Sequence, residues 1–514
     1  MKKSYYAVID IGSNTMRFVV YNQENSGRLH EVENVKAVAR LRNYLDEESM
    51  LNETGIRKLI STLQSFKNVM ETYQLDNFVV IATATIRQAR NKDEIKQIVL
   101  DEIGWEMRIL SEREEATYGY LSVVNSTSIT EGITIDIGGG STEITYFKNR
   151  VLQEYHSFPF GALTLKEFLK QENSIEKNLM KLRGFLQEQF STLNWLQNKS
   201  VPLIGIGGSA RNLAQIDQNR KAYPLAGLHQ YQMNDSDIAA IVTYLATLEK
   251  DELEKVEGLS KDRADTILPA ASAFLNLYEV IDAKGFILSR KGLRDGVFYE
   301  YLSGNTETNL YPNVLEDSLI ELIYEYKLDF NQIQHIGLLM EKLFKGLQSK
   351  GIWSLTKEDW IPLKRASYVY NLGEYIDSES SPQHTFYLLA NRTIDGLMHM
   401  ERLKLALIAS YKNKTVFKQF IAPFKNWFLK EERKKIELLG SLLKFTYCMD
   451  ATNRQVITNF AMEIGEEVIT LTFYCKQDYK PEQYQLEKQK KHLEKTLGRN
   501  IDVIFLYSEK DLVG

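Results

Sequence analysis

The feature that most narrows the folds open to this chain is a segment that occurs twice. Tyr5–Tyr21 reads YYAVIDIGSNTMRFVVY, and Gly132–Phe147 reads GITIDIGGGSTEITYF. Each is a β-rich run, then Asp-Ile-Gly with small residues, then a second β-rich run. That is the pattern of a hairpin whose turn is built from Gly, Ser, Asn and Thr. The two aspartates, Asp10 and Asp136, stand 126 positions apart. This spacing predicts two related lobes, each opening on a hairpin. The segments between fit α/β lobes. Asn77–Thr83 (NFVVIAT) reads as a short buried strand. Lys92–Ile103 has helical spacing. Glu114–Val124 also reads as a helix, with Tyr118, Leu121 and Val124 near one face. Val201–Leu213 reads as strand, glycine turn and helix start.

With 514 residues the chain has room for three or four domains. Its character changes after Leu302. Ser303-Gly304-Asn305-Thr306 reads as a linker, and 314–445 is leucine-rich and helical. The last part, from Thr452, offers a strand at Val468–Cys475, a charged helix at Pro481–Leu497 and a strand at Val503–Tyr507, a small α+β pattern. The run Gln485–Lys495 (QLEKQKKHLEK) reads as a solvated helix face. The net charge of −5 argues against a surface coated for nonspecific nucleic-acid binding, so a polyanion would need a local basic groove. Cys448 and Cys475 form neither a disulfide framework nor a metal pattern, which points to a reducing cytosol. No run of 18 apolar residues suggests a membrane span. Met1-Lys2-Lys3-Ser4 leads into a short run containing Asp10, a strand rather than a signal peptide.

The glycine turns suggest the chemistry. Glycine lets a backbone approach a phosphate and aim amide N–H groups at it, and hydroxyls add donors. Two such turns on facing lobes could hold a phosphate chain. A third, Gly205-Ile206-Gly207-Gly208-Ser209, precedes Ala210-Arg211-Asn212-Leu213 at a helix start. It has neither the Lys-Ser/Thr ending of a Walker loop nor dinucleotide-fold spacing. Asp10 and Asp136 end strands beside glycine turns, where an aspartate suits Mg²⁺, and Glu143 could join them. Glu114 and Glu115 open a helix, where carboxylates are also simply favoured by the helix dipole. Arg17, Arg87, Arg90 and Arg263 are candidate phosphate ligands. No H-E-x-x-H, G-x-S-x-G or C-x-x-C occurs, and histidines such as His156 are scattered.

In this order, D-I-G-S-N-T-M-R-F, T-A-T-I-R-Q-A-R-N, S-E-R-E-E-A, I-D-I-G-G-G-S-T-E and G-I-G-G-S-A-R-N closely resemble the exopolyphosphatase / guanosine pentaphosphate phosphohydrolase family. Ser260–Ala270 (SKDRADTILPA) matches a further family segment. The resemblance implies an α/β N-terminal half of two actin-like, ribonuclease-H-like lobes (1–124 and 125–303). A helical HD-like domain (304–447) and a small α+β domain (448–514) would follow. It implies Glu115 as catalytic base and Asp136 and Glu143 as metal-associated acids. It implies phosphate contacts from Asp10, Gly12, Ser13, Asn14, Arg17, Arg87, Gly138, Gly139, Gly140, Ser141, Gly207, Gly208, Ser209 and Arg263. It also implies Mg²⁺ as cofactor, admits a monovalent cation such as K⁺, and points to a cytoplasmic homodimer with neither membrane nor specific nucleic-acid partner. In the HD-like part, His335 and Gln383-His384 match early and later positions, but Val369-Tyr370-Asn371-Leu372-Gly373 puts Tyr and Asn where metal ligands would stand. No second hydrolase centre is expected there. The leading expectation is exo-hydrolysis of polyphosphate. Guanosine pentaphosphate hydrolysis, a kinase or actin-like ATPase, and a non-catalytic polyphosphate or alarmone sensor are the alternatives.

Overall fold

The computed structural model describes residues 4–23, 29–302 and 310–507. The expected linker at 303–306 lies outside them. The chain divides into two bodies, Met1–Tyr223 with Gly227–Val314, and Pro224–Ala226 with Leu315–Gly514.

The first body holds two sheets. One contains β1 (Ser4–Ile11), β2 (Thr15–Gln23), β3 (Leu29–Val38), β4 (Leu75–Ala82) and β5 (Met107–Ile109), in the order β3-β2-β1-β4-β5. The other contains β6 (Glu131–Ile137), β7 (Thr142–Lys148), β8 (Val151–Phe158), β9 (Leu203–Ile206), β10 (Gln232–Met233) and β11 (Phe286–Leu288), in the order β10-β11-β9-β6-β7-β8. Without the short β10, the second order repeats the first. In each sheet the first three strands form an antiparallel meander, and parallel strands are added beside the first strand. The duplication extends to single residues: Asp10 pairs with Arg17 across its hairpin, and Asp136 pairs with Glu143 across the other. The turns close alike, Gly12 N donating to Thr15 O at 3.1 Å and Gly138 N to Ser141 O at 3.0 Å.

Each sheet has its own apolar core. Ile9, Phe18, Val20, Leu63, Phe66 and Trp105 belong to one, and Ile133, Ile135, Leu203, Phe274 and Phe286 to the other. The helices do not divide as simply as the numbering. The Glu112–Val124 helix packs on β7 and β8 of the second sheet. The Leu293–Leu302 helix returns to the first sheet, where the Phe298 ring meets Tyr6 at 5.5 Å and Tyr21 at 5.1 Å. These two helices also pack on each other, at a point where the chain has no room for a Cβ. A methyl on Gly296 would overlap the backbone carbonyl of Tyr118.

The second body is helical from Leu315 to Cys448. Tyr370 is stacked on Tyr447 at 4.3 Å, and the Tyr447 hydroxyl donates to Ser367 O at 2.7 Å. At the position expected of a metal ligand, Tyr370 is therefore a packing residue. His384 contacts the Ser380 hydroxyl through Nε2 at 3.1 Å. The body ends in a sheet of β12 (Ile457–Ile464), β13 (Val468–Cys475) and β14 (Asn500–Tyr507), with the Lys480–Leu497 helix connecting the parallel pair β13 and β14. β12 was not anticipated. Its register shifts between Ile457 and Asn459, which breaks the alternation that would have marked it as a strand. No described helix is long and apolar enough to cross a membrane.

Two glycines test this packing in opposite directions. Gly296→Ala should destabilise the first body by about 1–3 kcal/mol, because the clash is with backbone. Gly337, inside the Phe330–Ser349 helix, has open space where a Cβ would sit. Gly337→Ala should stabilise by about 0.4–1 kcal/mol. Chemical denaturation of both variants reads the difference.

Candidate active site

The two hairpin turns face each other across a cleft of about 160 Å³ in the first body. The first lobe contributes Asp10, Gly12, Ser13, Asn14 and Arg17. The second contributes Asp136, Gly138, Gly139, Ser141, Gly207, Gly208 and Arg263. Gly139 approaches the first lobe closely, since a Cβ there would lie 3.0 Å from Ser13 Cβ. Gly207 has φ of +79°, a conformation that favours glycine, and a Cβ there would overlap the Asp136 carboxylate. A Cβ on Gly208 would overlap the Arg263 guanidinium. Ser209 stands behind the lining: its hydroxyl donates to Ile137 O at 3.1 Å and accepts from Arg263 Nη1 at 3.1 Å. Gly140 is also outside the lining, with its Cβ position 3.4 Å from Ser13 Oγ.

The two glutamates at the helix start have separate roles. Ser111 and Glu114 form a capping box: Ser111 Oγ accepts from Glu114 N at 3.2 Å, and the Glu114 carboxylate accepts from Ser111 N at 2.7 Å. Burial opposes its ionisation, yet the hydrogen bonds from Arg108 and Ser111 hold Glu114 down at about 2. The next residue points elsewhere. Glu115 lines the cleft, and burial pushes it up to about 7 against the pull of Arg87 and with the help of Asp136 and Asp10. Arg87 does not line the cleft. Its Nη1 donates to Glu115 Oε2 at 2.7 Å and to Leu110 O at 3.0 Å. Its place in the expected set is thus beside the candidate base. Arg90 is exposed.

The acids cluster. Burial raises Asp136 to about 6, and raises Asp10 against Arg294 and Arg17. Glu143 is buried and accepts from Ser157 Oγ at 3.0 Å, and burial together with Glu115 lifts it well above the usual range. It lines a small space of about 10 Å³ behind the cleft, shared with Glu115 and Asp136. Asp136 and Glu143 offer only oxygen donors, and among the described residues neither is in a close ion pair, which fits a hard divalent ion. Among the described residues no group of three or more His, Cys, Asp or Glu is placed to hold a metal ion by itself. Magnesium commonly takes one or two carboxylates and completes its shell with water and phosphate oxygens.

Three arginines join the site that motif reading did not select. Arg211, Arg290 and Arg294 line the cleft with Arg17 and Arg263. Arg294 Nη1 lies 3.3 Å from Asp10 Oδ2, 284 positions away in sequence. Burial and the other four arginines bring Arg211 down to about 10. Arg211 follows the third glycine turn, so a signal for it existed. Arg290 and Arg294 lie in a segment with no such mark.

Two outcomes follow from the electrostatics. The folded state raises Asp136 above its unfolded value. It therefore contributes stability below pH of about 4 that is lost as pH rises through about 6. With chelator present, Asp136→Asn should be more stable than the parent near pH of about 8, by on the order of 1–2 kcal/mol, with the gain vanishing toward pH of about 4. Thermal melts across pH check this. Arg87→Gln removes a cation that lowers Glu115, so any rate limb carried by Glu115 should move upward from about 7.

Likeness to known proteins identifies the family. The model described as the Ppx/GppA phosphatase family matches residues 19–304, and that for Ppx/GppA phosphatase, domain III matches 314–496. Relatives named guanosine-5'-triphosphate,3'-diphosphate pyrophosphatase are 26% identical in Aeromonas hydrophila and 27% identical in Aeromonas salmonicida. Each match covers 91% of this chain and 92% of the relative. The Aquifex aeolicus Ppx/GppA family member is 27% identical, with a TM-score of 0.53, over 60% of this chain and 100% of that one. An exopolyphosphatase from Cytophaga hutchinsonii, 19% identical, shares the fold with a TM-score of 0.53 over 59% of this chain and 98% of its own. With family models matching both bodies of the chain, and with paired lobes closing on a cleft of glycine turns, arginines and buried acids, this protein belongs to the Ppx/GppA phosphatase family.

Proposed function

We propose that this protein is an exopolyphosphatase, hydrolysing the terminal phosphoanhydride of inorganic polyphosphate in the cleft. The observation that carries the reading is the character of the lining. Five arginines, glycine backbone and small hydroxyls surround Glu115, and no Phe, Tyr, Trp or His is among the lining residues. Such a surface recognises phosphate and has no ring on which to stack a base.

In this reading the glycine-turn amides of both lobes, with Arg17 and Arg263, hold the terminal phosphates. Glu115 orients the attacking water and accepts its proton, a task suited to a carboxylate poised near neutrality. Arg87 keeps the Glu115 carboxylate fixed and limits how far burial raises it. Asp136 and Glu143 would hold Mg²⁺, which when bound offsets phosphate charge. The arginines carry the remaining charge on the leaving chain.

Hydrolysis of guanosine pentaphosphate is the second reading. What favours it is that the curated relatives carrying that name match across 91% of this chain, the second body included.

Phosphate release from long-chain polyphosphate and from guanosine pentaphosphate, with Mg²⁺, separates the two. The expected outcome is release from polyphosphate, lost on chelation. Glu115→Gln should lower it by about 10²–10⁴-fold while leaving the circular dichroism spectrum unchanged. Release from the nucleotide alone moves the protein to the second reading. Near-parental turnover by Glu115→Gln removes Glu115 from the base role.

A further inference from the structure

The second body carries a group of lysines that the cleft chemistry does not use. The Lys430–Cys448 and Lys480–Leu497 helices pack against each other, and the hydroxyls of Ser441 and Thr496, 2.7 Å apart, set their register. Lys444 lies within electrostatic reach of Lys412, Lys488 and Lys491, and His492 lies within reach of Lys444, Lys491 and Lys495. On the second helix, Lys488, Lys491 and Lys495 follow one another at intervals of three and four residues, on one face. All three are exposed, as is Lys412, whereas Lys444 is half-buried. Lys444 Nζ donates to the backbone carbonyl of Lys412 at 2.6 Å, and among the described residues no carboxylate pairs with any of these five lysines.

The remaining titratable neighbours do not compensate. His492, held at about 4 by burial and by Lys444, Lys491 and Lys495, is a neutral ring. Cys448, pushed up to about 11 by burial, is a neutral thiol. An ammonium that is half-buried among like charges, without a counter-ion, loses its proton more readily than an exposed one. Burial and the nearby lysines bring Lys444 down to about 8. An unprotonated amine is a nucleophile, and its exposed cationic neighbours attract a phosphate.

We infer that Lys444 is an acylation site served by small acyl phosphates, with Lys488, Lys491 and Lys495 drawing in the phosphate group. The lone pair of Nζ attacks the acyl carbon and forms an amide. The bond from that carbon to the bridging oxygen breaks, inorganic phosphate leaves with the electron pair, and the nitrogen gives its proton to solvent. No oxidant, reductant or further reactant enters.

The test uses the full-length protein, acetyl phosphate, and peptide mapping by mass spectrometry over a time course at mildly alkaline pH. Lys444 should be acetylated roughly tenfold faster than the exposed Lys96 and Lys250, with the preference gone in denaturant. Replacing Lys488, Lys491 and Lys495 together by Gln should abolish the preference without unfolding the protein. Lys444→Arg should leave phosphate release unchanged. Equal rates at Lys444, Lys96 and Lys250 in the folded protein would overturn the proposal. So would a preference that survives the triple substitution, or labelling of Lys444 by acetyl-coenzyme A but not by acetyl phosphate.

Discussion

A side chain at Gly207 would occupy the space of the Asp136 carboxylate, and one at Gly208 the space of the Arg263 guanidinium. These two contacts join the end of β6, the start of the Gly207–Arg220 helix and the Lys261–Arg263 turn into one wall of the cleft. Ser209 ties the same pieces from behind, donating to Ile137 O and accepting from Arg263. The acid and the arginine reach the cleft together only because the backbone between them carries no Cβ. Gly207, with its positive φ, is the first residue of that helix, and it lines the cleft together with Gly208.

On this scaffold lies a charge arrangement that would be costly in a protein serving stability alone. Asp10, Asp136, Glu143 and Glu115 are all raised by burial, and Arg17, Arg211 and Arg263 are all lowered by it. Opposite charges are present, but few are paired closely: Asp10 with Arg294 at 3.3 Å and Glu115 with Arg87 at 2.7 Å. Several arginine donors therefore stay directed at the cleft. A phosphate chain would satisfy them, and a hard cation would satisfy the acids. Groups whose ionisation is shifted toward neutrality and gathered in one cleft are the expected mark of a site shaped for catalysis.

The duplicated lobes also show how one architecture can be charged in two ways. Arg17 and Glu143 occupy the same register position, across a hairpin from Asp10 and Asp136 respectively. In the first lobe the position supplies a cation to the cleft. In the second it supplies a buried acid. The backbone repeats, and the side chain at one repeated position decides whether that half of the site favours anion or cation.

Much of this was legible in the residues. The repeated Asp-Ile-Gly segments predicted two hairpins and two lobes, because strand alternation and turn glycines are local properties. The third glycine turn predicted a helix start for the same reason. Neighbouring glutamates could not be told apart locally. Glu114 and Glu115 both suit the first turn of a helix, and only the direction each faces makes one a cap and the other a cleft residue. Arg87 read as a phosphate ligand, and packing placed it on Glu115 instead. Arg290 and Arg294 had no local mark, since their role depends on a helix that returns across the chain to Asp10. The sequence by itself determined the two hairpins and the glycine turns, set by short-range backbone preference, and the stock of acids and arginines. Which of those charges share one cleft, and how far burial moves their ionisation, was decided only by the tertiary structure, because burial and Coulomb interaction depend on distances that the order of residues does not contain.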